Sequence, residues 1–345
     1  MVNSNIQVLF RRVPEGLPVT GDFEIVESEI PKLKNHQFLI QNEYLSLDPY
    51  MRMLMGGGWQ FRGYAMEPGQ VMIGRCLGKV TESRHADFAI GDLVIGGFGW
   101  QTNTVSDGTN VEFRVSSDGR IPPTAYLGAC GSNGLTAWVG LRMIGDPQPG
   151  ETVVVSAAAG SVGSAAGQIA KAWGCTVIGI AGGTEKCRIV TEEYGFDACC
   201  DYKSADLDLQ LREASEKGID VYFDNVGGEM LDTILPLLNR GARVPVCGVL
   251  SQYNASGDYY GVRNTRLIFD KQLRLQGFLV SGYRDKWDAA REKLVNLVAN
   301  GQLKYRESIA DGIENAPEAF IGMLKGENFG KQLVRLIVSD INAVA

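Results

Sequence analysis

The spacing of apolar and polar residues changes twice along the chain. Up to about residue 125, short apolar segments are separated by turn residues, as in the alternating stretch Gln-Phe-Leu-Ile-Gln-Asn at 37–42 and the apolar run at 91–96. Short strands at close spacing, separated by glycine- and proline-containing turns, are typical of an all-β arrangement. This part of the sequence predicts a compact β domain.

From about residue 126 the pattern changes to apolar strands that alternate with amphipathic helices. The segment 151–156 (Glu-Thr-Val-Val-Val-Ser) is a β-branched run typical of a strand buried on both faces. A helix follows it, with Val162, Ala166 and Ile169 on one stripe. The sequence predicts further strands at 175–180, about 197–200, 219–224, 242–247 and 273–280, and helices at about 184–194, 206–216 and 229–238. Such alternation predicts right-handed βαβ units and a parallel, doubly wound sheet.

After about residue 285 the pattern of apolar and polar residues changes again. The sequence predicts a helix at 286–300, a strand near Tyr305, a helix at about 316–324 and a last strand at 332–338. This tail is too short to form a third core, so we expect it to pack back on the first domain. The predicted fold is therefore α/β, with a discontinuous β-rich domain (1–125 and 300–345) and a doubly wound Rossmann domain (126–299).

Charge and composition exclude several classes of protein. The 345 residues include 33 Lys and Arg against 40 Asp and Glu, a net charge of −7, and no basic cluster, so we expect no nucleic-acid partner. No apolar run reaches the length of about 18 residues typical of a membrane-spanning helix, and the start does not read as a secretory signal. The seven cysteines form no Cys-x-x-Cys pair. We therefore expect a reduced, cytoplasmic protein with no membrane partner.

The strongest chemical signal is a glycine-containing turn between the strand at 151–156 and the helix after it. It reads Ala157-Ala-Ala-Gly160-Ser-Val162-Gly163, which resembles the dinucleotide fingerprint. The small first residue permits a tight turn, Gly160 lets the backbone approach a pyrophosphate, and Gly163 lets the helix pack closely on the strand. Glycines placed only for packing are the alternative. The position of the turn at the start of a βαβ series favours dinucleotide binding, and we predict these four residues as cofactor-binding.

The end of the second strand indicates which dinucleotide is bound. An NAD site usually has an acidic residue there to hold the ribose 2′-hydroxyl. This strand ends in Ala181-Gly-Gly-Thr184 without an acid at the tip, and Lys186 and Arg188 follow in the next helix. Glu185 weakens the argument, and the alternative for Lys186 is a solvated helix lysine. We expect NADPH rather than NADH as the cofactor.

The histidine count bears on the chemistry. The chain has two histidines, His36 and His85, both in polar turns, and neither a zinc ligand set nor a Tyr-x-x-x-Lys pair. We therefore expect no metal. Hydride addition to the β-carbon of an enone or enal needs only a donor at the carbonyl oxygen and a proton source for the α-carbon. Tyr50, just after Pro49, and Tyr253, after the fifth strand, are the candidate donors; tyrosines that merely pack at a domain interface are the alternative.

With these segments identified, the chain resembles the zinc-free branch of the medium-chain dehydrogenase/reductase superfamily. This branch contains prostaglandin reductases, plant double-bond reductases and bacterial NADPH-dependent curcumin reductases, and the similarity is closest to the last group. The matching strings span nearly the whole chain: Tyr44-Leu-Ser-Leu-Asp-Pro-Tyr-Met-Arg52, Ser156-Ala-Ala-Ala-Gly-Ser-Val-Gly163, Asp224-Asn-Val-Gly-Gly228, Val246-Cys-Gly248, Ser251-Gln-Tyr-Asn254 and Gly326-Glu-Asn-Phe-Gly-Lys331.

The resemblance implies a GroES-like catalytic domain, a Rossmann NADPH domain and reduction of the conjugated C=C bond of enones or enals. It also implies roles for single residues. Lys186 would hold the 2′-phosphate, helped by Tyr202. The nicotinamide half would be contacted by Asn225 and Asn328, with Cys247 and Tyr253 beside the cofactor, and Tyr50 and Tyr253 would lie at the substrate carbonyl. A homodimer through the last strand of the dinucleotide sheet, 273–280, is implied as well.

Two segments depart from the family pattern. Arg75 stands where close relatives usually have a small residue or a tyrosine, and we expect it to narrow or charge the mouth of the substrate pocket, unless it only pairs with a surface acid. Gly131-Ser-Asn-Gly134 replaces a string that often carries Met-Pro after the first glycine. Tyr259 and Tyr260, in the loop 257–264, are further candidates for the pocket, or simply parts of an exposed loop. A quinone reductase of the same fold and an NADPH-binding protein without turnover remain the alternative functions.

Overall fold

The computed structural model describes residues 4–56, 65–116, 118–255, 257 and 259–336. The last two residues of the predicted strand 332–338, and residue 258 of the loop 257–264, lie outside this part of the chain. The strands are β1 Ser4–Phe10, β2 Phe23–Glu29, β3 Phe38–Leu47, β4 Arg75–Ser83, β5 Leu93–Gly96, β6 Asn103–Ser106, β7 Val111–Arg114, β8 Thr152–Ser156, β9 Thr176–Ala181, β10 Ala198–Asp201, β11 Ile219–Phe223, β12 Leu238–Val246, β13 Arg274–Gly277, β14 Glu307–Asp311 and β15 Lys331–Arg335. The α-helices are α1 Tyr50–Leu54, α2 Ser132–Val139, α3 Ser161–Ala172, α4 Thr184–Arg188, α5 Leu207–Ala214, α6 Gly228–Ile234, α7 Thr265–Asp270, α8 Trp287–Ala299 and α9 Ala316–Leu324.

The chain folds into two compact units. The first combines the residues up to Leu127 with those from Glu307 onward, and the second is Gly128–Arg306. The second unit extends to Arg306, beyond the boundary near 300 that the sequence suggested. The reason is that Gln168 on α3 binds both the N–H and the carbonyl of Lys304, at 2.8 Å each, while Arg306 forms an ion pair with Glu193.

The first unit is built on a seven-stranded sheet in the order β14-β15-β3-β4-β5-β7, with β6 also pairing with β3, and a separate β1–β2 hairpin. The chain end completes this sheet, because β15 pairs antiparallel with β3 and parallel with β14. The strand predicted at 37–42 continues to Leu47. Its last residues, Leu45–Leu47, are buried on both faces, so the alternation that marks a half-exposed strand is lost there.

The second unit contains a six-stranded parallel sheet in the order β10-β9-β8-β11-β12-β13. All five residues of β8 are buried, as its apolar run predicts. The edge strand β13 is shorter than predicted, and its residues are mostly exposed. Strand β12 begins at Leu238 instead of near 242, because the helix before it ends at Ile234 and a short 3-10 turn with Pro236 follows.

The predicted strands of this parallel sheet are observed in the predicted order, and the predicted fold class is confirmed. Helix α7, between β12 and β13, is not among the predicted elements. Within the described residues, helix lengths and apolarity fall short of what a membrane-spanning helix requires.

Candidate active site

The turn predicted to bind phosphate lies between β8 and α3. Ala157 has a φ of +51°, the left-handed conformation that usually selects glycine. A Cβ added to Gly163 would lie 2.3 Å from the carbonyl oxygen of Ala157, so only glycine allows α3 to approach the turn. A Cβ on Gly160 would meet only that same oxygen, at 3.2 Å, and Val162 is half-buried in the first turn of the helix.

The N-terminus of α3 suits an anion. Gly160 is the N-cap residue of this helix, and among the described residues no side chain accepts a hydrogen bond from the N–H groups there. Backbone N–H groups at the start of a helix that lack an internal partner carry partial positive charge and bind phosphate. The geometry of the turn therefore fits the pyrophosphate of a dinucleotide.

A second cationic group lies at the end of β9. The Tyr202 ring packs against the Gly182-Gly183 turn, where a Cβ on Gly182 would lie 2.7 Å from the ring. Burial lowers the pKa of Lys186, and the nearby Lys203 ammonium lowers it further, which places two positive charges beside this turn. An anionic ligand would relieve their repulsion.

The sequence reasoning missed Lys203. Its signal is the string Asp201-Tyr-Lys203, in which the resemblance implies a role for the tyrosine only. Asp201 shapes the same turn, because its carboxylate accepts the N–H groups of Gly183 and Lys203 at 2.8 and 2.9 Å. Arg188, in contrast, pairs with Glu192 one turn further along the helix, at 2.8 Å.

The carboxyl end of β11 is organised by Asp224, which the sequence reasoning also did not select. Its side chain is fully buried. One carboxylate oxygen, Oδ1, accepts the Tyr222 hydroxyl at 3.0 Å and the N–H groups of Val226 and Gly227 at 3.0 and 2.9 Å. Burial raises the pKa of Asp224, although these donors act against the shift. The carboxylate thus fixes the turn that carries Asn225.

Asn225 is held between two neighbouring strands. Its N–H donates to the Ser156 hydroxyl at 2.9 Å and its side-chain amide to the Ser156 carbonyl at 2.7 Å. Ser156 is the last residue of β8, directly before the phosphate turn. Asn225 therefore lies at the carboxyl edge of the sheet, where open α/β sheets bind their ligands.

Cys247 and Tyr253 lie at the same edge, after β12. The Cys247 N–H donates to the Asp224 carbonyl at 2.7 Å. A Cβ on Gly248 would lie 3.2 Å from both the Tyr253 hydroxyl and the Asn225 carbonyl, so the phenol reaches the Asn225 turn. Burial raises the pKa of Tyr253 to about 12, with a contribution from Cys247, and burial likewise raises the pKa of Cys247 to about 12. At neutral pH the phenol is protonated and can donate a hydrogen bond.

The two tyrosines of the loop 257–264 have different surroundings from Tyr253. The Tyr260 hydroxyl hydrogen-bonds to Asp232 on α6, which raises the pKa of the tyrosine, and the Arg263 guanidinium lies 5.0 Å from its ring centre. Asp232 also accepts the N–H groups of Arg263 and Asn264. These contacts anchor the end of the loop to α6. Tyr259 is 41% exposed.

In the first unit, Tyr50 begins helix α1 directly after Pro49. Arg75 lies on the neighbouring strand β4 and forms an ion pair with Glu112, with 2.7 Å between Nε and Oε1. Burial lowers the pKa of the Arg75 guanidinium, but the adjacent Tyr50 hydroxyl, Glu112 and Asp48 outweigh burial and raise it. Arg75 therefore has an acidic partner, as the alternative interpretation of this residue predicts. It also lies within electrostatic range of Tyr50.

Asn328, in the same unit, lies in the turn before β15. Its side-chain amide donates to the Gly330 carbonyl at 2.9 Å, and the next residue, Phe329, is held by the Ser308 hydroxyl through both its N–H and its carbonyl. These bonds fix the loop around Asn328. Elsewhere, the rings of His36 and His85 pack edge to face with their centres 6.3 Å apart. The described residues contain no group of three or more His, Cys, Asp or Glu side chains arranged to hold a metal.

The second unit thus combines a phosphate turn on its first strand, a cationic group at its second strand and a protonated tyrosine at the same sheet edge. An open left-handed turn, an uncapped helix and two adjacent lysines fit the pyrophosphate and 2′-phosphate of a dinucleotide. Fold and site together define a nicotinamide-dinucleotide-dependent oxidoreductase.

Comparison with known proteins identifies the family. A family profile described as "N-terminal domain of oxidoreductase" matches residues 7–113, and one described as "Zinc-binding dehydrogenase" matches residues 161–296. The NADPH-dependent curcumin reductase of Escherichia coli K12 is 43% identical over 95% of each chain. The NADP(+)-dependent 2-alkenal reductase of Nicotiana tabacum is 38% identical over 96% of this chain and 97% of its own. The crystal structure of CurA from Vibrio vulnificus in complex with NADPH, 40% identical, superposes with a TM-score of 0.91 over 97% of this chain and all of the other.

The chain belongs to the medium-chain dehydrogenase/reductase superfamily, in the branch that includes curcumin, 2-alkenal and prostaglandin reductases. The resemblance stated from the sequence motifs is confirmed. The description of the second profile mentions zinc, yet among the described residues no cluster could hold a metal ion.

Proposed function

We propose that the protein is an NADPH-dependent reductase of the conjugated C=C bond of α,β-unsaturated ketones and aldehydes. The single observation that carries the proposal is the Lys186, Tyr202 and Lys203 group beside the Gly182-Gly183 turn. A residue that would hold the 2′-hydroxyl of NAD is replaced there by two ammonium groups, which suit a 2′-phosphate. The curcumin reductase and 2-alkenal reductase relatives support the same cofactor and substrate class.

Different residues bind different parts of the cofactor. Backbone N–H groups around Ala157, Gly160, Val162 and Gly163 bind the pyrophosphate, and Lys186 with Tyr202 binds the 2′-phosphate. The nicotinamide half is oriented by Asn225, Cys247 and Asn328. When bound, NADPH supplies the hydride that adds to the β-carbon of the substrate.

The protein itself must stabilise the negative charge that develops on the carbonyl oxygen. Tyr253, whose pKa of about 12 keeps it protonated, donates a hydrogen bond to this oxygen, and Tyr50 is the second candidate donor. Water or one of the tyrosines then protonates the α-carbon. Arg75 lies within electrostatic range of Tyr50 and would add a positive charge where Tyr50 meets the substrate.

The test follows NADPH absorbance with a panel of medium-chain enones, enals, a curcumin-like dienone, quinones and simple alcohols. We expect turnover of the enones and enals, and a Tyr253→Phe variant with kcat lowered by about 10²-fold. Turnover of quinones alone would support a quinone reductase, and NADPH binding without consumption by any acceptor would support a protein that only binds the cofactor. A Tyr253→Phe variant with unchanged kcat would show that this tyrosine only packs.

We further propose a cytoplasmic homodimer that joins through β13. The seven cysteines are free thiols, which suits a reducing compartment. Among the described strands β13 pairs with β12 alone, and Leu279 just after it is 44% exposed. Light scattering on the purified protein should give twice the chain mass. A Leu279→Asp variant should lower it, whereas Ile90→Asp, at an exposed site of the first unit, should not. A monomeric wild-type protein would refute the dimer.

A further inference from the structure

A buried ion pair connects the two segments of the chain that form the first unit. Lys331, the first residue of β15, lies with its Nζ 2.6 Å from Oδ1 of Asp48 and 2.7 Å from the Leu47 carbonyl. The other carboxylate oxygen of Asp48 accepts the Ser46 hydroxyl at 2.6 Å. Asp48 is 6% exposed and Lys331 is 3% exposed. Two residues separated by 283 positions in the sequence therefore meet at the end of β3.

The pair depends on both partners. Burial raises the pKa of Asp48, but the Lys331 ammonium and its hydrogen bond outweigh burial and lower it. In a buried pair of this kind, removal of one partner leaves the other charge uncompensated and displaces it toward water. Loss of the Lys331 ammonium would remove the strongest counter-charge of Asp48 and leave only the weaker effect of Arg75, so it would move Asp48 and the backbone that carries it.

The backbone that follows Asp48 carries Tyr50. The chain turns at Pro49, the Met51 N–H donates to the Asp48 carbonyl at 3.1 Å, and α1 begins at Tyr50. On the other side of β3, Arg75 pairs with Ser46 in the sheet and lies within electrostatic range of Asp48 and Tyr50. The backbone of Tyr50 thus follows directly from a turn whose first residue is bound by Lys331.

We propose that Lys331 is a positioning residue for Tyr50: it binds Asp48 and the Leu47 carbonyl, and so fixes the β3–α1 turn that holds the phenol at the substrate carbonyl. This inference rests on the proposed function, because it takes Tyr50 as a group that acts on the substrate. It explains why the strings Asp48-Pro-Tyr50 and Gly330-Lys331 occur together in this chain.

The test is a double-mutant cycle with Lys331→Met, Tyr50→Phe and the combined variant, measured with a linear 2-alkenal at saturating NADPH. We expect Lys331→Met to lower kcat by about tenfold, the scale of a misplaced catalytic group. In the Tyr50→Phe background the same change should lower kcat by less than about twofold, because the group it positions is already absent. The affinity for 2′,5′-ADP, which probes the second unit only, should stay unchanged in every variant. Lys171→Met, which removes an exposed ion pair with Asp197, is the matched control and should leave kcat unchanged.

The outcomes separate the inference from the proposed function. An equal loss of kcat from Lys331→Met in both backgrounds would overturn the positioning role while leaving the role of Tyr50 intact. A Tyr50→Phe variant with wild-type kcat would overturn the role of Tyr50 and the inference with it. If Lys331→Met fails to fold, the charge-neutral variant Asp48→Asn with Lys331→Met takes its place in the cycle. It should fold, lose about the same kcat and show the same dependence on Tyr50; wild-type kcat would overturn the proposal.

Discussion

Removal of the Asp224 carboxylate should destabilise the second unit more than any other single polar change at the cofactor edge of its sheet. The carboxylate is fully buried, and its Oδ1 accepts from four donors: the Tyr222 and Ser156 hydroxyls and the N–H groups of Val226 and Gly227. Asp224→Ala would remove this acceptor. Asp224→Asn would keep an oxygen in place of Oδ1 and change only the other atom.

The magnitude follows from the number of donors. The Ser156 hydroxyl also reaches the Phe223 carbonyl, so three donors would lose their acceptor. A buried donor that loses its acceptor costs about 1–3 kcal/mol, and three such donors predict a loss of about 3–5 kcal/mol for Asp224→Ala once some relaxation is allowed. Oδ2 of Asp224 has no hydrogen-bond partner in the described chain, so the amide N–H₂ of Asp224→Asn would find no acceptor there. We expect Asp224→Asn to cost about 1–2 kcal/mol.

The two variants should also differ from the wild type in pH dependence. Burial raises the pKa of Asp224 above its ordinary value of 3.8, so in the range between that value and the raised pKa the folded state binds more protons than the unfolded state. The contribution of Asp224 to the stability of the wild type therefore falls as the pH rises through this range. Asparagine does not titrate, so the cost of Asp224→Asn should be smaller above this range than below it.

Urea denaturation of the whole chain, followed by circular dichroism at about pH 5 and about pH 8, measures these differences. The affinity for NADPH should fall in Asp224→Ala, because the Asn225 turn loses its anchor. The reasoning would be refuted if Asp224→Ala cost less than about 1 kcal/mol, or if the alanine and asparagine variants were equally destabilised.

Further predictions concern the turn and the charged groups around it. Ala157→Gly should stabilise the chain by up to about 1 kcal/mol in urea, because alanine pays for its left-handed φ of +51°; a destabilised variant would count against that strain. Lys186→Ala should raise the KM for NADPH by about 10- to 100-fold and leave the KM for NADH unchanged, whereas the more exposed Lys203→Gln should raise it only about two- to fivefold; equal effects on both cofactors would exclude a 2′-phosphate contact. Arg75→Gly should change the ranking of substrates, because it removes a cation beside Tyr50; identical kinetic constants across the panel would show that Arg75 serves only to pair with Glu112.

Much of the second unit could be predicted because its signals are local. A strand buried on both faces, such as β8, is apolar throughout, and the turn after it requires small residues where the backbone comes close. The edge of that sheet was harder to predict. Strand β13 is exposed at most positions, so its length is set by pairing with β12 and not by its own pattern. The sequence predicts one strand at 37–42 and another from Tyr44 into the turn at Pro49, and the structure joins the two as β3. Their continuity is not evident from the pattern, because burial on both faces removes the alternation at the end of the strand.

Polar residues with distant partners could not be assigned from the sequence. Asp224 and Lys331 lie in the strings Asp224-Asn-Val-Gly-Gly228 and Gly326-Glu-Asn-Phe-Gly-Lys331, but the sequence assigns neither a role, because a carboxylate or an ammonium has the same local appearance whether it is solvated or buried. Lys203 was overlooked beside Tyr202 for the same reason. Their surroundings are formed by strands that are far apart along the chain.

The sequence by itself determined the class of fold, the phosphate turn, the preference for NADPH and the absence of a recognisable zinc ligand string, because each depends on residue types at short and fixed spacing. The tertiary structure decided which polar groups are buried and what they hold. It placed Asp224 beneath the Asn225 turn, brought Lys203 beside Lys186, and paired Lys331 with Asp48 across 283 residues. Burial and charge compensation depend on contacts between distant segments, and only the folded chain establishes them.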